Sequence, residues 1–230
     1  MPTGTRQQHN DVAGFIYAVL GVAYAVLLGL TVIAVWEEWE VAKDTASDEA
    51  NDLAEIFSIA QGLPPREGER VQELARSYAR VVVEDEWALM AQGEASPRAW
   101  DLLDEIRGSI GEFNPTTGAQ QALYEQALER VHELADARRD RLLEAEEGIP
   151  AILWVVLLVG GAIVVGFTYL FGLESTLVHT LMVTALTLVI GLVLFTVAVL
   201  DHPFKGDVQV GPDAFEMELE RFQESNLNDL

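Results

Sequence analysis

The stretch that decides the fold runs from Val12 to Trp36 and reads VAGFIYAVLGVAYAVLLGLTVIAVW. It contains no Asp, Glu, Lys or Arg, and it is longer than the roughly 20 apolar residues that a helix needs to cross a bilayer. Two later runs, residues 149–173 and 175–200, have the same properties. The sequence therefore predicts an all-α integral membrane protein with three transmembrane helices, and the lipid bilayer as its first partner.

The three apolar runs divide the chain into spans and polar segments. The polar segments are a short N-terminus, a long central block and a tail, at residues 1–11, 37–148 and 201–230; the spans are residues 12–36, 149–173 and 175–200. The formal net charge is −23, and nearly all of it lies in the central block and the tail. Because phosphate binding requires clustered Lys and Arg, this acidity argues against a nucleic-acid partner.

The basic residues predict the orientation of the chain in the membrane. Three spans place the central block and the tail on the same side, and that side carries 13 of the 14 Lys and Arg residues. Lys43 and the group at 138–141 lie close to spans, where the excess of positive charge on the cytoplasmic side is counted. We therefore expect a cell-membrane protein whose central block and C-terminus are cytoplasmic and whose residues 1–11 lie outside.

The central block has the periodicity of helices. Apolar residues recur there at steps of three and four, and the pattern predicts four helices with starts or stops at these residues: Gly62 with Pro64, Gly93, Ser96 with Pro97, Gly108 to Gly111, and Thr116 or Thr117. Since the first and fourth of these helices adjoin spans, the sequence predicts a cytoplasmic antiparallel helical bundle. A small amphipathic helix after Pro212 is expected to dock onto it.

Two spans carry polar or small residues at helical spacing. In the first span the small residues are Gly14, Ala18, Gly21, Ala25 and Gly29, and small residues let helices approach closely in lipid. They indicate either a subunit contact or ordinary helix packing. In the third span the hydroxyl residues are Thr176, Thr180, Thr184 and Thr187. They could line an aqueous path, or they could bond to carbonyl groups of their own helix.

The sequence offers no catalytic signature. Cysteine is absent, which excludes thiolate catalysis and Cys-type zinc sites. We find no phosphate-binding glycine loop, no zinc-protease His pair and no nucleophile-elbow serine. Glu129 and His132 form a single Glu-x-x-His, whereas a di-iron site in a helical bundle needs two such motifs. We therefore expect no enzyme activity, no cofactor and no metal site.

Two segments resemble a known family. They are the run that begins at Asn10, NDVAGFIYAVLGVAYAVLLGLTVIAVWEEWE, and LDHPFKG at residues 200–206, followed by Val208, Gln209 and Val210. Both are similar to the bestrophin-like family of bacterial membrane proteins, which shares this order of span, helical block, two spans and short tail. The resemblance marks Asp201, Pro203, Phe204 and Gly206 as family-motif residues, while His202 stands where a basic residue, often Arg, is expected. It also implies a remote relation to bestrophins, which are multimeric anion channels.

Two functional hypotheses follow. The first is a homo-oligomeric ion channel, because three spans per chain are too few to enclose a path and several subunits would have to surround it. Inorganic ions would be its cargo, and the acidic central block favours cations over anions. The alternative is a membrane-anchored scaffold that presents the acidic helical block as a binding module.

Overall fold

A computed structural model describes residues 3–171, 175–206 and 208–228, with side chains from residue 12 to residue 224 of these ranges. The described chain forms eight α-helices and one π-helical turn, and it contains no β-strand. In chain order the α-helices are α1 (Thr3–Ala60), α2 (Pro65–Val81), α3 (Trp87–Met90), α4 (Pro97–Gly111), α5 (Gly118–Glu146), α6 (Ala151–Thr168), α7 (Thr176–Leu200) and α8 (Asp213–Asn228). The all-α prediction is confirmed.

The chain divides into two compact units. One, here called the membrane unit, comprises residues 1–38 and 148–201; the other, the bundle unit, comprises residues 39–147 and 202–230. Three helical segments are long and apolar enough to cross a membrane, and they lie within Val12–Ala60, Gly118–Thr168 and Thr176–Leu200. The prediction of three membrane-spanning helices is therefore confirmed.

The membrane unit contains the first half of α1 together with α6 and α7. Helix α6 begins after Pro150, and the residue before a proline disfavours helical geometry, which explains the break between α5 and α6. Helix α6 ends at Thr168, earlier than the predicted limit at residue 173. Its last turn tightens through short-range hydrogen bonds from the Tyr169 and Leu170 N–H groups to the Gly166 and Phe167 carbonyls. Residues 172–174 lie outside the described ranges.

The bundle unit begins and ends its helices where the sequence indicates. Helix α1 stops at Ala60 before Gly62, and α4 starts at Pro97 directly after Ser96. The Thr117 hydroxyl caps α5 by accepting a hydrogen bond from the Gln120 N–H at 3.2 Å. At the start of α2, Gly68 lies against the end of α1, and an added Cβ would be 2.3 Å from the Ala60 carbonyl oxygen.

The second predicted helix of the block is not a single α-helix. The sequence suggests one helix ending near Gly93, but a π-helical turn, Val82–Glu86, separates α2 from α3. A π-helical turn adds one residue to the helix and rotates the side chains that follow it. Glu86 at the end of this turn and Trp87 directly after it are both buried in the bundle core.

The tail helix docks on the bundle, as the sequence suggests. Helix α8 buries Phe215 and Phe222 completely or nearly so. The Phe222 ring stacks on Phe57 of α1 with 4.1 Å between the ring centroids. Stacked aromatic side chains at this distance add to the hydrophobic stabilisation of the contact.

Candidate functional site

The hydroxyl groups of the third span lie along one exposed side of α7. Their steps of four, four and three residues place Thr176, Thr180, Thr184 and Thr187 on one line of the helix, and all four are exposed. Helix α7 packs within the chain through other residues. Its buried residues are Val183, Ile190, Val197 and Leu200. The threonine line is therefore not used for packing inside a single chain.

A surface groove of about 520 Å³ follows part of this line. Thr184, Thr187 and Gly191 line it together with Tyr169 and aliphatic side chains of α7. An added Cβ at Gly191 would meet no atom within 4 Å, so the absence of a side chain there widens the groove. The groove combines hydroxyl and apolar surface on a membrane-spanning helix.

The threonines differ in how their hydroxyls are satisfied. The Thr187 hydroxyl donates to the Val183 carbonyl at 2.8 Å, the bond to the same helix that threonines commonly make. Among the described residues, the hydroxyls of Thr180 and Thr184 have no hydrogen-bond partner. Water or a second chain could satisfy these two hydroxyls.

The small residues of the first span also lie outside the contacts of a single chain. Ala18, Ala25 and Gly29 are exposed, Gly14 and Gly21 are half-buried, and a Cβ added at any of the three glycines would meet no atom within 4 Å. Helix α1 instead buries a neighbouring face within the membrane unit, formed by Tyr24, Leu28, Thr31 and Val35. The role of the small residues as a helix contact stays a prediction.

The close helix contact inside the membrane unit lies elsewhere. Tyr24 of α1 fits over Gly160 and Gly161 of α6, where an added Cβ would be 2.8 Å from the tyrosine side chain at either position. The Tyr24 hydroxyl donates to the Leu157 carbonyl at 2.8 Å. Two adjacent glycines in α6 therefore make room for one large aromatic residue, a pairing that the sequence analysis did not identify.

Asp201 of the family motif connects the ends of two spans within the membrane unit. Its carboxylate accepts hydrogen bonds from the Ile149 N–H at 2.6 Å and from the Trp154 indole N–H at 3.1 Å. A carboxylate at a helix N-terminus satisfies a free N–H group and interacts favourably with the helix dipole. Asp201 therefore fixes the start of α6 beside the end of α7.

The other motif residues belong to the bundle unit and have structural positions there. Pro203 and Phe204 are buried, and Phe204 packs edge-to-face against Trp87 with 5.8 Å between ring centroids. Gly206 has a φ of +93°, a backbone conformation that favours glycine. The Pro203 carbonyl accepts from the Val210 N–H at 2.7 Å and closes the turn.

A completely buried group of charged residues lies at the centre of the bundle. It consists of Glu49, Glu86, Arg138 and Arg141, each with no exposed surface, and is called here the ionic core. Arg138 makes two hydrogen bonds to Glu86, one of them at 2.5 Å. Arg141 makes two to Glu49, at 2.5 and 3.0 Å, and a third to Glu86 at 3.2 Å. Two positive and two negative groups give the ionic core no net formal charge.

Aromatic side chains surround the ionic core. The Arg138 guanidinium lies 4.6 Å from the centroid of the Trp100 ring, and that of Arg141 lies 5.0 Å from the Trp87 ring, distances at which cations are attracted to aromatic faces. Tyr78 donates to Glu49 at 2.6 Å. Burial, and then the charge of Glu49, raise the pKa of Tyr78 well above its ordinary value.

The two arginines remain charged in spite of their burial. Burial alone lowers the pKa of Arg141, but Glu49 and Glu86 outweigh it and raise the pKa above its ordinary value. Burial likewise opposes the charged form of Arg138, and Tyr78 together with Glu86 raises its pKa. The two arginines therefore keep their charges at physiological pH, and the hydrogen bonds of the ionic core tie α1, the π-helical turn and α5 together.

The sequence carries a signal for this core that the sequence analysis did not use. The inward face of α5 passes through Val131 and Leu134, and the same spacing continues to Arg138 and Arg141. Arginine at two successive inward positions requires buried acidic partners. The partners could not be picked out of the 37 acidic residues of the chain from sequence alone, although Glu86 follows the buried Val82 by four residues.

Acidic side chains are numerous, but they do not form a metal site in the part of the chain that the structure describes. Within those ranges, no group of three or more His, Asp or Glu side chains is placed to hold a metal ion. His132 lies exposed on α5, and Arg130, two residues earlier on the same helix, forms ion pairs with acidic residues of α1. The described geometry therefore supports membrane and packing roles for the residues above.

Comparison with known proteins identifies the family of this chain. A family model described as Bestrophin-like domain matches residues 1–215. The chain belongs to the bestrophin-like family. The comparison with curated proteins gives no match.

Solved structures of other proteins share the fold. A crystal structure of a bacterial bestrophin homologue from Klebsiella pneumoniae, in a point-mutant form, matches with a TM-score of 0.68 at 14% identity, over 94% of this chain and 90% of that chain. A second structure of the Klebsiella pneumoniae homologue matches with a TM-score of 0.67 at 14% identity, over 95% and 92% of the two chains. At this identity the likeness shows the fold, which this bestrophin-like chain shares over nearly its whole length.

Proposed function

We propose that this chain assembles into a homo-oligomeric ion channel of the cell membrane. Membership of the bestrophin-like family and the fold in common with bacterial bestrophin homologues support the proposal. One chain supplies three membrane-spanning helices, too few to surround a water-filled path, so several copies would enclose it. Helix α7 would line the path with Thr176, Thr180, Thr184 and Thr187.

The observation that carries this proposal is the pair of unsatisfied hydroxyls at Thr180 and Thr184. Both residues are exposed on a membrane-spanning helix. A polar group that faces hydrocarbon without a hydrogen bond costs free energy, whereas water in a path would satisfy it. Lining hydroxyls can also replace part of the water around a passing ion.

Cysteine accessibility tests this proposal directly, because the native chain contains no cysteine. Thr184→Cys in liposomes should react with a small water-soluble thiol reagent, and the reaction should reduce ion flux. Val189→Cys is the matched control, since Val189 is equally part of α7 and exposed but lies on another side of the helix. Equal reactivity at both positions, or reaction at residue 184 without any change in flux, would contradict the lining role of α7.

The small residues of α1 would form the contact between subunits. A Cβ added at Gly21 meets nothing within its own chain, so Gly21→Leu leaves the packing of one chain intact while separating helices of neighbouring copies. We expect it to reduce the oligomer mass in detergent. Val19→Leu, on another exposed side of α1, should not. If Gly21→Leu leaves the oligomer mass unchanged, the small residues of α1 do not form the contact between subunits.

The bundle unit and the tail would lie in the cytoplasm, and the path would favour cations. The side that holds them carries 13 of the 14 basic residues of the chain. Acidic surface at the mouth of a path concentrates cations, and salt screens this effect. The expected current is therefore cation-selective and loses part of its selectivity at high salt. An anion-selective current would overturn the electrostatic argument and leave the channel itself standing.

One observation favours a scaffold as the second candidate. A groove of about 760 Å³ lies between α2 and α4 on the bundle unit, and its lining is almost entirely charged. The residues are Arg66, Glu67, Glu69, Arg70, Glu73, Glu105, Gly108, Ser109 and Glu112. A monomer in mild detergent, together with no flux above that of empty liposomes, would favour a membrane-anchored scaffold over a channel.

A further inference from the structure

One arginine holds three carboxylates where α1 and α5 meet in the bundle unit. Arg130 of α5 reaches Asp52 at 3.3 Å, Glu55 at 3.0 Å and Glu133 at 2.5 Å. Asp52 and Glu55 belong to α1, and Glu133 follows Arg130 by about one turn of α5. These four residues, called here the Arg130 cluster, carry three formal negative charges against one positive charge.

The three carboxylates differ in their access to water. The side chain of Asp52 is 14% exposed, whereas those of Glu55 and Glu133 are 54% and 44% exposed. Burial raises the pKa of Asp52 to about 6, against the lowering effect of the hydrogen bond from Arg130. Glu133 from α5 and Glu55 from its own helix add to the rise. Asp52 is therefore the carboxylate of this cluster that water stabilises least.

We propose that the Arg130 cluster is a proton-binding site that strengthens the contact between α1 and α5 when the surrounding solution becomes mildly acidic. A proton on Asp52 removes one of three crowded negative charges and leaves Arg130 to the two carboxylates that water also reaches. Because the folded chain binds this proton more tightly than the unfolded chain does, the stabilisation is complete below the unfolded pKa of 3.8. It is lost as the pH rises through about 6. This property belongs to the bundle unit and does not depend on ion conduction.

Hydrogen exchange on the full-length protein in detergent provides the test. Peptides from residues 45–60 and 125–140 would be followed at pH 7.5 and pH 5, with correction for intrinsic exchange rates. A group whose pKa falls from about 6 in the folded chain to 3.8 in the opened chain changes the equilibrium constant for local opening by roughly tenfold between pH 7.5 and pH 5. The protection of the wild type relative to Asp52→Asn should therefore rise by about tenfold on acidification. Asp48→Asn removes an exposed carboxylate one turn earlier on α1, and its ratio to the wild type should stay constant.

A second variant separates proton binding from packing. Arg130→Gln leaves three carboxylates without their guanidinium, so protection should fall most at pH 7.5 and recover at pH 5. If Arg130 contributed only packing, the loss would be equal at both pH values. A ratio of wild type to Asp52→Asn that changes by less than about twofold, or an equal loss in Arg130→Gln at both pH values, overturns the proposal.

Discussion

Replacing Glu86 by Gln should destabilise the bundle more than any surface change of the same chemistry. The substitution keeps the shape of the side chain but leaves Arg138 and Arg141 with a single carboxylate, so the ionic core acquires a net positive charge. All of these groups are completely buried, and water cannot screen that charge. Removing one partner of a buried ion pair costs about 3–5 kcal/mol.

This cost predicts a large change in melting temperature. For chains of 150–250 residues, each kcal/mol corresponds to about 2–4 °C, so Glu86→Gln should lower the Tm by roughly 6–20 °C. Thermal unfolding in detergent, followed by tryptophan fluorescence, measures it. Glu105→Gln is the control, because Glu105 pairs with Arg70 and Arg98 on the surface, where such pairs contribute about 0–1 kcal/mol. Its Tm should change by less than about 4 °C.

The double variant Glu86→Gln, Arg138→Met tests whether charge is the cause. It restores the balance of one arginine against Glu49, so its loss of stability should be smaller than the sum of the two single losses by at least about 1 kcal/mol. Losses that add, or a Glu86→Gln variant as stable as the surface control, would refute the reasoning from buried charge.

Three further predictions concern the membrane unit, the motif and the orientation. Gly161→Ala should lower the Tm, because its Cβ would be 2.8 Å from the Tyr24 hydroxyl and overpacking costs about 1–3 kcal/mol; Gly166→Ala, with nothing within 4 Å, should not. The free energy of unfolding of Gly206→Ala should be about 1–2 kcal/mol lower than that of the wild type, because Gly206 has a positive φ. Ser58→Cys should be shielded from an impermeant thiol reagent in intact cells while Thr3→Cys reacts, and labelling of Ser58→Cys from outside would reverse the orientation.

The features that depend on local chemistry could be predicted from the sequence. The length and hydropathy of the apolar runs are sufficient to identify three spans. Helix starts follow from one or two residues, as Pro97 after Ser96 and the Thr117 cap show. The docking of α8 follows from aromatic residues at helical spacing, since an amphipathic helix beside a bundle must bury its apolar face.

The features that depend on helix register and on the pairing of side chains could not be predicted from the sequence. The π-helical turn changes which of the following residues face the core, so that Trp87 lies beside Arg141, and no propensity encodes such an insertion. Small residues in α1 are equally suited to contacts within and between chains. The structure shows that the close contact within the chain uses Gly160 and Gly161 of α6 with Tyr24 instead.

The two groups of charged residues in the bundle unit differ in their charge balance, their burial and the pKa values of their members. The ionic core is balanced and completely buried, and the pKa values of Tyr78, Arg138 and Arg141 all rise above their ordinary, already high values. Those three groups therefore keep their protons between pH 5 and 8. The Arg130 cluster is unbalanced and partly buried, and it holds a carboxyl whose pKa is raised to about 6. Because the ionic core has no net formal charge, the excess negative charge of the chain lies outside it, including at contacts such as the Arg130 cluster. Sensitivity to mild acid should accordingly arise where α1 meets α5 at Asp52, whereas the two arginines of the ionic core stay charged over the same pH range.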